Sequence, residues 1–455
     1  MGPQNTNDNG LEYGDNYLCL FCIDNTMAWW ISTALICAYG ALKEFRPTEP
    51  YYYNYEHDFL GYSDSQLNNQ IYPVWTYVYL VALLPVLLCS DILLYKPVII
   101  IGTLAYIGVW LCIIFAKSVL ALQFAEANYA IGTASEVAYF SYIYVRVDSS
   151  KFSRVTAWTR AALLLGRCTS YILAEILILT KTANYQDLNY ISIGVLGISL
   201  AVAICLPGVS WKTVVERNVE HNDVIFREAK PQTFFEFCKT TLLNQKTNFV
   251  NYYSKMTILK WSLWWAMATC GELQIESYAQ TLFGQLQDAN GDNNFNGFIE
   301  AAWPFFGMIA ILAVEKANID WNRWGEACLS IAAIADSVLL IIMSQAGQLW
   351  LMYACFVLFR VFYQIMITIA QANIVTEIAS HSYGFVFGVN TLVALILQTV
   401  LTAVVVQWWK FGIRDQFIAY GIYHAGVSVI FVSVLLYRFC RPMIRKFIKS
   451  SNFGK

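Results

Sequence analysis

The stretch WKTVVERNVEHNDVIFREAKPQTFFEFCKTTLLNQKTNFVNYYSK, residues 211–255, is the longest polar run in the chain. It carries Lys212, Arg217, Arg227, Lys230, Lys239 and Lys246, and on either side of it the sequence turns apolar. A helix that crosses a bilayer needs about 20 apolar residues, and about twelve segments approach that length. Six precede the polar run, near 27–44, 72–94, 97–116, 119–145, 156–181 and 188–207. Six follow it, near 259–284, 296–315, 325–344, 347–374, 383–408 and 415–437. The chain thus divides into a polar tail (1–26), a six-helix half (27–208), a linker (209–258), a second six-helix half (259–437) and a basic tail (438–455).

Composition agrees with a polytopic membrane protein. Of 455 residues, 58% are hydrophobic and 13% charged, about half the ~25% charge of soluble domains. Aromatics reach 16%, enough for interfacial belts and for a site that takes a flat ligand. A net charge of −2 offers nothing to nucleic acid. Loop charge sets the orientation: Arg146, Lys151 and Arg154, then Lys316 and Arg323, then Arg438, Arg441, Arg445, Lys446 and Lys449 all fall on the linker's side. Lys43 and Arg46 oppose the rule but are outnumbered. Both termini and the linker are expected in the cytosol, the acidic start (Asp8, Glu12, Asp15, Asp24) being a tail and not a signal peptide. Two six-helix halves around a basic linker suggest an all-α membrane protein with the major facilitator architecture, its site between the halves near the midplane.

Chemistry other than transport finds no support. There is no phosphate-binding G-x-x-x-x-G-K-[S/T] loop and no nucleophile elbow. Cys19 and Cys22 form a lone C-x-x-C, and His57, His221, His381 and His424 are far apart in sequence, so neither a metal site nor a cofactor is expected. Cys37, Cys89, Cys112 and Cys205 sit in apolar segments, where cysteine behaves as a small hydrophobe. The repeated Gly and Arg of sugar-porter loops between helices two and three are missing. An enzyme is not expected.

One helix holds a carboxylate where a carboxylate is expensive. In GTASEVAYFSYIYVRVD, residues 132–148, Glu136 shares a face with Tyr129, Gly132 or Thr133, Tyr139 and Phe140. An acidic residue at a membrane-helix centre costs about 2.5–3.5 kcal/mol. Either the acid and its aromatic neighbours attract an organic cation, or the face is a packing stripe whose Glu pairs with a neighbouring helix. Both readings stand at this point.

Several stretches, in order along nearly the whole chain, resemble the folate and thiamine carrier family, the reduced folate carrier group of solute carriers. They are FRPTEPY (45–51), PVWTYVYLV (73–81), SDILLYKPVII (90–100), SEVAYFSYIY (135–144), KWSLWWAMAT (260–269), NGFIEA (296–301), LFRVFYQIMITIA (358–370) and VFGVNT (386–391). Folate carriers place an Arg in helix four and a Lys in helix eleven, where this chain has Glu136 and Gln398, as thiamine carriers do. A carboxylate repels a dianionic folate tail and attracts a thiazolium. The resemblance therefore implies plasma-membrane uptake of thiamine first and folate second, by alternating access, with a coupled proton or anion as a possible second cargo. A non-transporting paralogue of the same family is the remaining alternative.

The resemblance also implies site residues. Glu136 is the main anionic contact, Glu49 holds the aminopyrimidine edge, Trp75 and Tyr139 stack on the ligand rings, and Asn296 hydrogen-bonds from helix eight. Asp91 would pair in a gate at the cytosolic end of helix two. Two features depart from the vitamin-carrier pattern. Glu272 and Glu276 share a face on helix seven, either inside the cavity, for cation or proton binding, or near the outer mouth. Arg360 is more folate-like and is expected to partner one of these acids. The Tyr-rich loop 51–62 would anchor at the interface or form a vestibule. No N-x-[S/T] sequon is present, and the basic tail is expected on anionic lipid.

Overall fold

In the computed structural model the chain is described over residues 25–147, 152–220, 223–290, 295–316, 321–375, 378 and 383–452. Cys19, Cys22, the acidic residues of the N-terminal tail, Lys151, His221 and His381 lie outside the described residues. So do the side chains of Arg146, Arg154, Arg217, Lys316, Arg323 and the basic residues of 438–449.

Among the described residues, the long helices outside the linker fall into two sets of six. The first half contains α1 (Asn25–Lys43), α2 (Tyr72–Cys89), α3 (Lys96–Ile114), α4 (Val119–Ala134) continued by α5 (Glu136–Arg146), α6 (Phe152–Leu179) and α7 (Tyr185–Cys205). The linker folds as α8 (Trp211–Glu220), α9 (Val224–Ala229) and α10 (Phe234–Tyr253). The second half contains α11 (Met256–Asn290), α12 (Asn296–Lys316), α13 (Trp321–Gln345), α14 (Leu349–Val375), α15 (Tyr383–Thr402) and α16 (Ile413–Asn452). Eight helices among the described residues are long and apolar enough to cross a membrane. The remaining long helices, α1, α4–α5, α11 and α12, hold Lys43, Glu136, Glu272, Glu276 and Glu300.

The halves meet along two seams, α2 against α15 and α6 against α12. Within the first half α1 lies on α6 and α7. The approach of α1 to α6 is close because Gly166 has no side chain: a Cβ there would sit 2.1 Å from the Ala41 carbonyl oxygen. The fourth crossing breaks at Ser135, whose hydroxyl donates to the Gly132 carbonyl at 2.6 Å. That carbonyl would otherwise take an amide one turn on, so the side chain competes with the helix ladder. The break makes Glu136 the first residue of a new helix, α5.

The linker and the Tyr-rich loop take definite form here. The linker is structured: Asp223 caps α9, and Thr233 with Glu236 forms a capping box on α10. Val214, Phe226 and Phe237 close a small core beneath them. The Tyr-rich loop, expected to anchor at the interface or to form a vestibule, turns inward, with Tyr51, Tyr53 and Tyr55 almost fully buried. Apolar ring area and hydroxyls that find buried acceptors both favour this burial over a lipid surface.

The inward loop seals the end of the bundle opposite the linker. Gln280 on α11 donates to the Glu49 carbonyl, and Tyr53 N–H donates to Gln280. Thr281 donates to Asn68, Asn296 to Asn54, and Gln407 to the Asn69 carbonyl. Glu175 on α6 accepts Tyr51 O–H at 2.6 Å and the amide of Gly297, at the start of α12, at 2.8 Å.

Gly166→Ala is expected to lower the melting temperature and surface yield, as overpacking of a close seam costs about 1–3 kcal/mol. Gly194→Ala, with nothing within 4 Å of its added Cβ, is expected to match wild type. Thermal-shift measurement of both purified variants checks the contrast.

Candidate binding cavity between the halves

Beneath the seal a cavity of about 460 Å³ opens between the halves, within the roughly 300–1,000 Å³ of small-molecule sites. Six carboxylates line it, Glu49, Glu126, Glu136, Glu272, Glu276 and Glu300, against four guanidiniums, Arg46, Arg160, Arg167 and Arg360. Aromatic rings, among them Trp75, Tyr106, Tyr129 and Trp303, fill much of the remaining wall.

On the first half Lys43, Arg46 and Arg167 are matched by Glu44, Glu49 and Glu136. Lys43 pairs with Glu44 at 2.8 Å and with Glu136 at 2.5 Å. Glu44 also takes Arg46 at 3.0 Å and Arg167 at 2.6 Å. Arg46 completes the chain with Glu49 at 3.1 Å, and its guanidinium lies 4.6 Å from the Tyr106 ring centroid. Glu49 further accepts Tyr129 and Tyr171 hydroxyls, each at 2.5 Å. Lys43 and Arg46, which looked like loop charges against the topology rule, are 2% and 1% exposed. They are interior ions, so they say nothing about which side of the membrane a loop occupies.

The second half is unmatched. Arg360 pairs with Glu272 at 2.8 Å and Glu276 at 3.5 Å, as expected for a partner of the extra acids. Glu300 accepts Trp303 N–H at 3.1 Å. The Trp303 ring lies 4.2 Å from the Arg360 guanidinium and 5.6 Å from that of Arg167, one cation from each half. Three acids thus share one guanidinium. Glu272 and Glu276 both line the cavity.

The other expected residues separate. Trp75 lines the cavity, and its indole N–H is buried without a partner. Tyr139 stands behind the wall, packed on Tyr39 and donating to the Ile36 carbonyl, so stacking on a ligand is not its arrangement here. Asn296 belongs to the seal, held by Tyr353 at 2.7 Å and Gln287 at 3.0 Å. Gln398 is buried and is not among the lining residues, with neither amide atom hydrogen-bonded. Asp91 accepts from Gln245 at 3.0 Å and so ties α2 to the linker helix α10.

Sequence reading overlooked Lys43, Glu44, Arg46, Arg167, Glu126 and Glu300. The signal was present in KEFRPTE (43–49), four charges in seven residues at the end of an apolar helix. Such density is expensive unless the charges pair with one another. Just above the cavity, burial and the nearby Glu126 charge push the Glu56 carboxyl well above the usual carboxylate range, and Tyr72 donates to it at 2.9 Å.

The comparisons with known proteins follow the same outline. The family model described as "Reduced folate carrier" matches residues 27–419. "Folate-like transporter 2" of Caenorhabditis elegans is 41% identical over 94% of this chain and all of its own length. "Thiamine transporter 1" of Homo sapiens is 34% identical over 91% of this chain and 92% of its own. Among solved structures, peptide transporter POT in complex with sulfate aligns with a TM-score of 0.62 at 12% identity, covering 91% of this chain and 98% of that one. At that identity the likeness concerns the fold.

Glu44→Gln would leave Lys43, Arg46 and Arg167 short of their common partner. Removing one member of a buried ion group costs about 3–5 kcal/mol, so a clear fall in melting temperature and surface yield is expected. An unchanged melting curve would overturn the role assigned to Glu44.

Proposed function

Because the chain belongs to the reduced folate carrier family, a family of multi-pass membrane transporters, we propose that it carries thiamine, or a vitamin of similar cationic and aromatic character, by alternating access. The observation that carries this reading is the distribution of charge: Lys43, Arg46 and Arg167 offset Glu44, Glu49 and Glu136, while Glu272, Glu276 and Glu300 gather around Arg360 and Glu126 adds a further acid to the lining. An interior with surplus negative charge and aromatic walls favours a flat organic cation. It disfavours a dianion, since like-charge juxtaposition costs several kcal/mol.

In this mechanism the thiazolium approaches the second-half acids, and Trp75 offers its free N–H and its ring face from the opposite wall. Glu136 takes part through exchange. Lys43 keeps Glu44 at 2.8 Å when a ligand cation displaces it from Glu136, so the displacement leaves no buried lysine uncompensated. The seal at Glu49, Tyr53, Asn54 and Asn296 then parts on one side as the linker end closes on the other. We place the protein in the plasma membrane with both termini and the linker in the cytosol, the sealed end facing outward.

A folate substrate is the second reading. It is favoured by the 41% identity to a protein named a folate-like transporter and by Arg360, which would receive a carboxylate if Glu272 released it.

Tracer uptake separates the two. Labelled thiamine is expected to accumulate in cells expressing the chain, and a labelled reduced folate is not. Uptake of the folate alone would overturn the substrate assignment. The double variant E272Q/E276Q is expected to lower thiamine uptake about tenfold, equal to about 1.4 kcal/mol of lost binding, at unchanged surface abundance. E136Q is expected to remove most uptake, and normal transport by a well-expressed E136Q protein would sink the exchange with Lys43.

A further inference from the structure

Behind the cavity wall of the second half lies a polar cluster that vitamin binding does not use. Asp336 on α13 and His424 on α16 face one another, Oδ2 to Nδ1, at 3.9 Å, and both side chains are buried. Asp336 Oδ1 and His424 Nε2 have no hydrogen-bond partner. The rings of Phe359 and Tyr423 close edge-on around the imidazole. The α11 backbone reaches its other side at Gly271, where a Cβ would sit 2.2 Å from Nε2. The next residue is Glu272 of the cavity, whose Oε2 is likewise buried and unpartnered.

The groups around this pair are accounted for. On α11, Cys270 is buried and Glu272 is paired to Arg360. From α14 come that same Arg360 and Tyr363, whose hydroxyl meets Thr269. From α16, Tyr420 bonds Gln274 and Gln416, and Tyr423 donates to the Met267 carbonyl. On α13, Ser337 donates to the Gly421 carbonyl. Among the described residues no cation besides the imidazole itself stands against Asp336.

An ionised aspartate beside a neutral histidine would leave one net negative charge in the bundle interior, where an unpaired charge costs several kcal/mol. A single proton held between the two removes that charge. We propose that Asp336 and His424 form a proton-binding site of this transporter, linked to the cavity through Gly271 and Glu272. The link rests on the cavity being the substrate site. A cation drawn to Glu272 and a proton at Asp336 repel across a low-dielectric interior, so a cationic substrate expels the proton. An anion drawn to Arg360 unmasks Glu272 and favours proton uptake instead.

Two measurements on the purified full-length protein test this. In the first, the melting temperature is followed with pH in the absence of ligand. The folded state keeps a proton that the unfolded carboxyl releases at neutral pH, so stability declines as pH rises. Wild type is expected to decline more steeply than D336N. Glu56 contributes a slope of its own, common to both proteins. If D336N does not fold, H424Q serves: without the imidazole the steep part of the curve moves by about one pH unit or more. Curves parallel to wild type overturn the site. In the second, calorimetric binding of thiamine in buffers of different ionisation enthalpy is expected to show proton release in wild type and less in D336N. Thiamine binding without proton release overturns the link to the cavity. No thiamine binding overturns the substrate reading, while the melting curves still decide the proton site.

Discussion

The rest of the structure depends on Glu44. One carboxylate, 3% exposed, gathers Lys43, Arg46 and Arg167 from two helices and the chain between them. In a low-dielectric interior each of these ions alone would be prohibitive. Together with Glu49 and Glu136 they form a neutral set, which allows α1 to end inside the bundle. The chain then turns across the cavity instead of leaving for water. The tyrosine-rich segment that follows is carried inward by this turn, and the end of the bundle is sealed as a consequence.

Much of the architecture was legible in sequence because membrane helices announce themselves by composition. The polar run 211–255 suggested a division into two sets of six, and ordered motifs pointed to the family. The charge map was harder to read. Glu136 stood out as one acid in an apolar helix, but its partner Lys43 lies 93 residues away, a relation that no local pattern encodes. Nothing in the local pattern marks Ser135, whose hydroxyl bonds the Gly132 carbonyl where the helix breaks and presents Glu136. Asn296 and Tyr139 carried the right chemistry for ligand contact but occupy the seal and the packing behind the wall. Helical spacing gives a face, not what stands opposite it.

The two halves also divide the electrostatic labour. In the first, Lys43, Arg46 and Arg167 are balanced by Glu44, Glu49 and Glu136, so these ions fix geometry. The second holds Glu272, Glu276 and Glu300 around one arginine, so its ions have charge to spare for a ligand. Trp303 joins these regimes, with Arg360 at 4.2 Å and Arg167 at 5.6 Å from its ring. An indole stabilises cations on its π face without neutralising them. It holds the two arginines near the same wall while leaving both free to keep their carboxylates.

The seal opposite the linker is built largely of neutral groups: side-chain amides of Asn54, Asn68, Gln280 and Gln407, a threonine hydroxyl and backbone carbonyls. Each such bond exchanges for one to water at a net of about 0.5–1.5 kcal/mol. A latch of this kind parts in small steps and displaces little charge across the bilayer. Its opening should therefore be nearly indifferent to membrane voltage and to ionic strength, leaving the ions deeper in the bundle as the elements that sense what the cavity holds.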